Sequence, residues 1–230
     1  MDFDRYTDSY REAVEESIAF AGADAARYVG AKARMVADLA RRELGDPLEL
    51  RALDVGCGPG ETDAFLEGAF GSLHGIDLSE PMAERARERN PWATYASYAA
   101  GDPLPYEDES FDLSFTICVL HHVPVGDRLA LVTEMARVTR PGGLVLIFEH
   151  NPLNPLTRKA VRDCPFDEDA ILLPRGEARR LATDAGLARI ESPFIIFFPK
   201  QGPRRERVEG QLGWLPLGAQ YYVACRRNDG

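Results

Sequence analysis

Apolar residues gather along the chain in short runs separated by stretches of helical spacing. Leu50, Ala52, Leu53 and Val55 make one run, Leu73 to Ile76 a second and Ala93 to Tyr98 a third. Phe111 to Val119 and Leu144 to Phe148 are the fourth and fifth. Runs this short, bounded by turn residues, read as buried parallel strands. The fourth is apolar almost throughout, as a central strand covered on both faces should be. Between the runs, Ser79 caps a predicted helix with Pro81 near its start and Met82, Arg85, Ala86 and Arg89 following. Another starts at Gly126 or Asp127, buries Leu129, Val132, Met135, Ala136 and Val138, and stops at Arg140-Pro141-Gly142-Gly143. Upstream of the first strand, one helix ends near Gly22, and Asp24 caps the next, with Tyr28, Met35, Val36 and Leu39 at helical spacing. Strand and helix alternate, so the fold class is a doubly wound α/β sheet, mostly parallel.

The later part of the chain is less regular. Asn151 to Pro174 reads as a long proline-punctuated loop, which in a compact domain is usually functional. Arg175 to Ala185 predicts a helix closed by Gly186, and Phe194 to Phe198 and Gln220 to Cys225 the last two strands. The insertion over 199–218 carries Lys200, Arg204, Arg205 and Arg207, then Leu212, Trp214, Leu215 and Leu217. It reads as a short amphipathic helix packing one face on the sheet; a pocket rim, a subunit contact and a membrane contact stay open.

The chemistry centres on the end of the first strand. Gly56, Gly58 and Gly60 remove three β-carbons where a backbone must turn sharply and let a ligand lie against it. Glu61 and Thr62 are expected to open a helix through Glu67, with N–H groups that favour an anionic ligand. The second strand ends in Asp77, a carboxylate able to accept both protons of a ribose diol. The spacing is G-x-G-x-G with Pro59 inside, unlike the G-x-G-x-x-G of a pyrophosphate turn. A glycine loop that merely turns the chain is the plain alternative.

Asp54-Val55-Gly56-Cys57-Gly58-Pro59-Gly60 and Gly75-Ile76-Asp77-Leu78-Ser79 resemble the first two motifs of class I S-adenosylmethionine-dependent methyltransferases. Leu104-Pro105-Tyr106 with Asp108-Glu109-Ser110-Phe111-Asp112 resembles the next, and Leu120-His121-His122-Val123 and Arg140-Pro141-Gly142-Gly143 the two after it. The resemblance implies a Rossmann-like seven-stranded sheet whose last strand is antiparallel. It also implies a single domain over 1–230: an N-terminal helical lid to about residue 45, a cofactor core over 46–150, and an acceptor-side loop, helix and strand pair over 151–230. S-adenosylmethionine is the implied cofactor and S-adenosylhomocysteine its product. The cofactor residues it implies are Asp54, Gly56, Cys57, Gly58, Gly60 and Asp77, with Leu78 and Met82 beside the adenine. Tyr6 of the lid, alongside Phe3 and Tyr10, is a candidate to close over the site. The family's adenine acceptor falls near Ala100 in an ungapped alignment; Asp102 is favoured, with the backbone of Gly101 as the fallback. The fourth strand should lie beside the first, so Ile117 and Cys118 border the cofactor.

Charge and cysteine usage narrow the partners. With 37 acidic against 27 basic residues the net charge is −10, which argues against a grip on nucleic acid through phosphates. Cys57, Cys118, Cys164 and Cys225 form no C-x-x-C pair, so reduced thiols in the cytoplasm and no metal site are expected. Met1 to Arg5 is polar and acidic, unlike a signal peptide, and no apolar run is long enough to span a bilayer. The expected partner is a small-molecule acceptor.

Methyl transfer from a sulfonium is an in-line displacement, and aligning the reactants can supply roughly 7–11 kcal/mol in well-ordered cases. A hydroxyl or phenol acceptor also needs a base. Three of the four histidines, His121, His122 and His150, lie just beyond the fourth and fifth strands, with His150 favoured as base. Glu149 is a candidate to bind an ammonium or hydroxyl of the acceptor. The alternative is that these histidines only satisfy backbone carbonyls, and His74, at the far end of its strand, is expected to be structural. Three other readings are carried: a cofactor-binding protein catalysing a non-methylating step such as cyclisation, a methyltransferase for a lipid, glycan precursor or macromolecule, and a nicotinamide enzyme, which the glycine spacing disfavours.

Overall fold

The computed structural model describes residues 15–17, 25–198 and 203–228. Phe3, Tyr6, Tyr10, Asp24 and Lys200 lie outside them. Helix α1 (Ala25–Leu44) leads to β1 (Arg51–Val55) and β2 (Ser72–Asp77), followed by α2 (Glu80–Arg89) and β3 (Thr94–Ser97). Next come β4 (Phe111–Ile117), α3 (Arg128–Val138), β5 (Thr139–His150), α4 (Pro155–Asp163) and α5 (Arg175–Asp184). The chain ends with β6 (Leu187–Glu191), β7 (Phe194–Ile195), α6 (Pro203–Leu212) and β8 (Gln220–Arg227).

The strands form one sheet in the order β3-β2-β1-β4-β5-β8-β6, with β7 also paired to β8. The pairs from β3 across to β5 are parallel; β8 runs antiparallel to β5, β6 and β7. The predicted doubly wound sheet with an antiparallel final strand is therefore present, but its last position is shared by two short strands. Leu187–Glu191, not expected from the pattern, pairs with the far end of β8, and Phe194–Ile195 with its start. The second piece stops three residues short of Phe198, because Ile196 turns to a φ of +59° and leaves the extended region.

Side-chain alternation builds two cores. Leu53, Val55, Val145, Ile147, Tyr221 and Val223 face α3 and α5. Ala52, Leu113, Phe115, Leu144, Leu146 and Phe148 face α1, through Ala33, Val36, Leu39 and Ala40. The strand period of two thus serves both faces of a buried sheet.

Several expectations are corrected. The helix predicted over 61–67 is a single 3₁₀ turn, Asp63–Phe65. It leaves Leu66 and Phe70 to pack under α1, which covers the sheet face in its place. A helix that short has no N-terminal dipole to offer a ligand. The described part of the N-terminal segment is accordingly core. Leu129, expected on the buried face of α3, is 38% exposed, and its neighbour Arg128 is the buried one at 1%. Helix α3 does end at Val138, just before Arg140 to Gly143, but that stretch is no loop: it is an irregularity inside β5, between Thr139 paired to Phe111 and Leu144 paired to Leu113. The segment 151–174 is no open loop: Asn154 caps α4 by accepting from Leu156 and Thr157 N–H, and a 3₁₀ turn over Pro165–Asp167 follows.

Candidate active site at the carboxyl edge of the central strands

The chain winds one way from β1 to β3 and the other way from β4 onward, so β1 and β4 flank the switch point where such sheets bind ligands. At the end of β1 the N–H groups of Gly56 and Cys57 both donate to Ile76 O, at 2.7 and 3.1 Å, folding the turn back over β2. Gly56 has a φ of +79°, and a β-carbon there would stand 2.4 Å from Val119 Cγ2. Gly60 has a φ of +69°, with Asn90 Nδ2 2.5 Å from where its β-carbon would be. These are the two positions where glycine is required both by backbone angle and by space.

Asp77 belongs to the same turn. Its Oδ2 accepts from Gly58 N–H at 2.8 Å and its Oδ1 from Ser79 N–H at 2.9 Å, so the carboxylate is oriented before any ligand arrives. Tyr98 N–H donates to Asp77 O, and burial together with the Asp77 charge pushes the Tyr98 phenol up to about 12. Leu78 is exposed beside Asp77, while Met82 is buried in the packing of α2. Cys57 contributes backbone to the turn, but its side chain packs with Ala86 and Tyr95. Gly101 and Asp102 lie on an exposed turn, Asp102 N–H donating to Ala99 O.

Beneath the turn lies a buried network that the linear pattern does not announce. Asn90 Nδ2 donates to Gly60 O at 2.8 Å and to Tyr95 Oη at 3.0 Å; Tyr95 OH donates to Asp63 Oδ2 at 2.8 Å. Arg89 donates to Pro59 O at 2.8 Å. Asp63 in turn lies beside Asp54, both carboxyls are buried, and Oδ1 of each meets no donor. Two facing carboxyls can bond only if one keeps its proton. Burial and the neighbouring Asp63 charge hold Asp54 well above the carboxylate range, and burial lifts Asp63 to about 6. Asp54 is thus a support of the turn from below.

On the other side of β1, β4 ends at Ile117 and Cys118 takes a φ of +58°, unusual for a residue with a side chain. Its thiol lies 3.8 Å from Lys32 Nζ and 3.4 Å from Gln220 Nε2. Lys32, from α1, is buried at this edge.

The three predicted histidines come together beside it. His121 Nδ1 lies 2.6 Å from Glu149 Oε2, and Glu149 Oε1 accepts from Leu120 N–H at 2.7 Å. The His121 ring centroid is 4.1 Å from that of His122 and 5.1 Å from that of His150. Asp167 completes the group, with Oδ1 3.2 Å from His122 Nε2 and 3.6 Å from His121 Nε2. Burial opposes charge on His121, but Glu149 and Asp167 outweigh it and lift the ring to about 10. The same burial, reinforced by the His121 charge, pushes His150 down to about 4. Burial also lowers His122. Glu149 is held low despite complete burial, because His121 neutralises it.

Asp167 arrives from the segment expected to be a loop, and its position is stapled. Ile171 N–H donates to His121 O at 2.9 Å, Arg128 donates to Ile171 O at 2.6 Å and to Val123 O at 3.1 Å, and Tyr221 OH donates to Leu173 O at 2.6 Å. Arg128, Asp167, Lys32 and Gln220 are the residues of this edge that the pattern missed. A buried arginine leaves one signal, a charge on the apolar face of a helix. His74 is structural as expected, edge-on to Tyr106 and Phe111 at 5.9 and 5.3 Å.

Comparison with known proteins agrees with this geometry. Residues 53–147 match the family model described as a methyltransferase domain. A demethylmenaquinone methyltransferase from Staphylococcus aureus is 38% identical over 113 residues, 47% of this chain and 46% of that protein. A 27-O-demethylrifamycin SV methyltransferase from Amycolatopsis mediterranei is 40% identical over 99 residues, 40% of this chain and 36% of the relative. The chain thus spans less than half the length of these curated relatives. Among solved structures, a SAM-dependent methyltransferase from Thermotoga maritima superposes with a TM-score of 0.66 at 21% identity, over 98% of both chains. Phosphoethanolamine N-methyltransferase 2 from Haemonchus contortus, solved with S-adenosyl-L-methionine, gives 0.60 at 22% identity over 85% of this chain and 53% of that one. At those identities the likeness is one of fold. Residues 53–147, which carry the glycine turn and the oriented Asp77, thus match a methyltransferase domain.

Proposed function

We propose that this chain transfers a methyl group from S-adenosylmethionine to a small-molecule acceptor, leaving S-adenosylhomocysteine. The observation that carries this reading is the Asp77 carboxylate clamped by Gly58 and Ser79 N–H against a turn with room above it: a β-carbon at Gly58 would meet nothing within 4 Å. A second observation fits an anionic end to the cofactor. Lys32 is a buried cation whose described hydrogen bond goes to a thiol, a weak partner for an ammonium. Asp77 would hold the ribose hydroxyls, the backbone over Gly56–Gly60 and the Gly101–Asp102 turn would border the adenosyl half, and Lys32 would meet the methionyl carboxylate. When bound, the cofactor supplies a methyl group already activated by positive sulfur.

What remains for the protein is alignment and, for an oxygen acceptor, removal of a proton. His121 is held charged by Glu149 and Asp167 and cannot serve as base near neutral pH. His150 and His122 are held neutral beside it and can receive a proton. Glu149 therefore acts through His121 as a positioning residue. The relatives' printed names, which give demethylmenaquinone and 27-O-demethylrifamycin SV as acceptors, agree with a small molecule. Four free cysteines agree with a cytoplasmic location, and no helix among the described residues is long and apolar enough to cross a membrane.

A lipid-soluble acceptor is the second reading. Leu153, Leu156, Trp214 and Leu217 are all exposed, and Asn154 Nδ2 bonding to Leu217 O holds α4 and the segment before β8 together. The test is incubation with methyl-labelled S-adenosylmethionine and a metabolite extract divided into aqueous and lipid fractions. Label should appear in one product of one fraction and be lost in Asp77→Ala; label in neither fraction would refute the proposal.

A further inference from the structure

We infer that His121, His150 and Asp167 bind a divalent transition-metal ion at the acceptor side of the site, which deepens the methyl-transfer reading and assigns its acceptor an oxygen nucleophile. One ligand atom from each of the three lies within 4.8 Å of the other two, so a small side-chain adjustment would bring all three onto a single ion. The His121 Nε2 to Asp167 Oδ1 separation is 3.6 Å, too long for a hydrogen bond but near the edge of a tetrahedron. With bonds of about 2.1 Å, two ligands of one zinc-like ion stand about 3.4 Å apart.

The support around these residues is what a metal site needs. His121 gives its Nδ1–H to Glu149, so Nε2, facing Asp167, is the nitrogen on which an ion would take the place of the ring's second proton, in the carboxylate–histidine–metal manner. Glu149 is itself fixed by Leu120 N–H. Asp167 is held by the backbone bond from Ile171 to His121 and by buried Arg128. The other ring partner is Gln220, whose side-chain nitrogen stands 3.3 Å from His150 Nδ1 while its Oε1 is buried with no partner. An amide turned over gives that oxygen to Nδ1–H and leaves Nε2 of His150 as a ligand. Two imidazoles and one carboxylate suit zinc, iron, cobalt or nickel rather than magnesium or calcium. Three protein ligands leave a coordination position open, and an acceptor oxygen placed there is acidified by the ion. No ligand spacing was visible in the sequence because the three residues come from the ends of β4 and β5 and from the turn before α5.

The experiment is a Co²⁺ titration of chelator-stripped full-length protein followed by visible absorption, with S-adenosylhomocysteine calorimetry on the same preparation. One equivalent of Co²⁺ with d–d bands is expected, weakened at least tenfold in Asp167→Asn and in His150→Gln, each checked for an unchanged near-ultraviolet spectrum. The second variant keeps the test decisive if the first misfolds. No Co²⁺ bands in a protein that takes up S-adenosylhomocysteine would overturn the metal site alone. Bands insensitive to both substitutions would also overturn it. Absence of S-adenosylhomocysteine uptake with intact Co²⁺ binding would refute the methyl-transfer reading and leave the metal site standing.

Discussion

Two groups of buried carboxyls flank the end of β1, and they resolve the same electrostatic problem in opposite ways. Asp54 and Asp63, under the glycine turn, face each other and keep a proton, with Tyr95 and Asn90 completing the bonds. Glu149 and Asp167, on the acceptor side, stay ionised and draw the charge of His121 between them. A carboxyl pair that shares a proton carries one negative charge in place of two, turns its oxygens to each other and to Tyr95, and holds its neighbours in place. Carboxylates facing imidazoles hold charge, lone pairs and a mobile proton, which is what reacting groups require. The first group therefore reads as the support of the turn and the second as the reactive side.

The comparison is broken most severely at Glu149. Glu149→Gln offers one oxygen where two donors, Leu120 N–H and His121, now have one each, and it removes the counter-charge of a buried ring. Loss of one partner of a buried pair costs about 3–5 kcal/mol. Chemical denaturation should show that loss, with the His121 ring no longer charged at neutral pH by NMR. Tyr95→Phe breaks the other group more gently: it orphans one Asn90 N–H and takes a donor from Asp63, a loss of about 1–3 kcal/mol. It should also weaken S-adenosylhomocysteine binding, since Asn90 holds Gly60.

Asp63→Asn sharpens the comparison with a gain. An asparagine can accept from Tyr95 and donate to Asp54 without a shared proton. Asp63 is lifted from the ordinary carboxylate range to about 6, so the folded state binds its proton more tightly than the unfolded one. The sign follows: native stability from this group is full below about pH 4, falls between about 4 and 6, and is lost above. A tenfold change in proton affinity is worth about 1.4 kcal/mol. Asp63→Asn should then raise the melting temperature by a few degrees at pH 8 and leave it unchanged at pH 4. A variant destabilised at pH 8 would mean that the pair is not proton-linked.

The parts of this architecture that sequence discloses are those whose cause is local. The run Leu50–Val55, its glycines and the acid ending β2 follow one another, and pairing of Val55 with Ile76 brings them together with no distant residue needed. Ser79 capping α2 is equally local. The missed features depend on contacts between remote segments. The 61–67 stretch carries helix-forming residues, yet α1 from upstream covers the sheet there and leaves space for only one turn. Asp63 and Tyr95 meet only after β2 and β3 pair. Asp167 reaches the histidines only because Arg128 and Tyr221 tie its segment down. Of the candidate site residues, the structure gathers His121, His122, His150 and Glu149 tightly and puts Asp77 against Gly58, while Met82 and the Cys57 side chain turn inward.

The central claim is that the Gly56–Gly60 turn with Asp77 holds the adenosyl cofactor. Titration calorimetry with S-adenosylhomocysteine, on the wild type and on a folded Asp77→Ala variant, tests it most directly. The account predicts one site per chain and an affinity at least tenfold weaker in the variant. Binding of equal strength in both proteins, or none in the wild type, would contradict it.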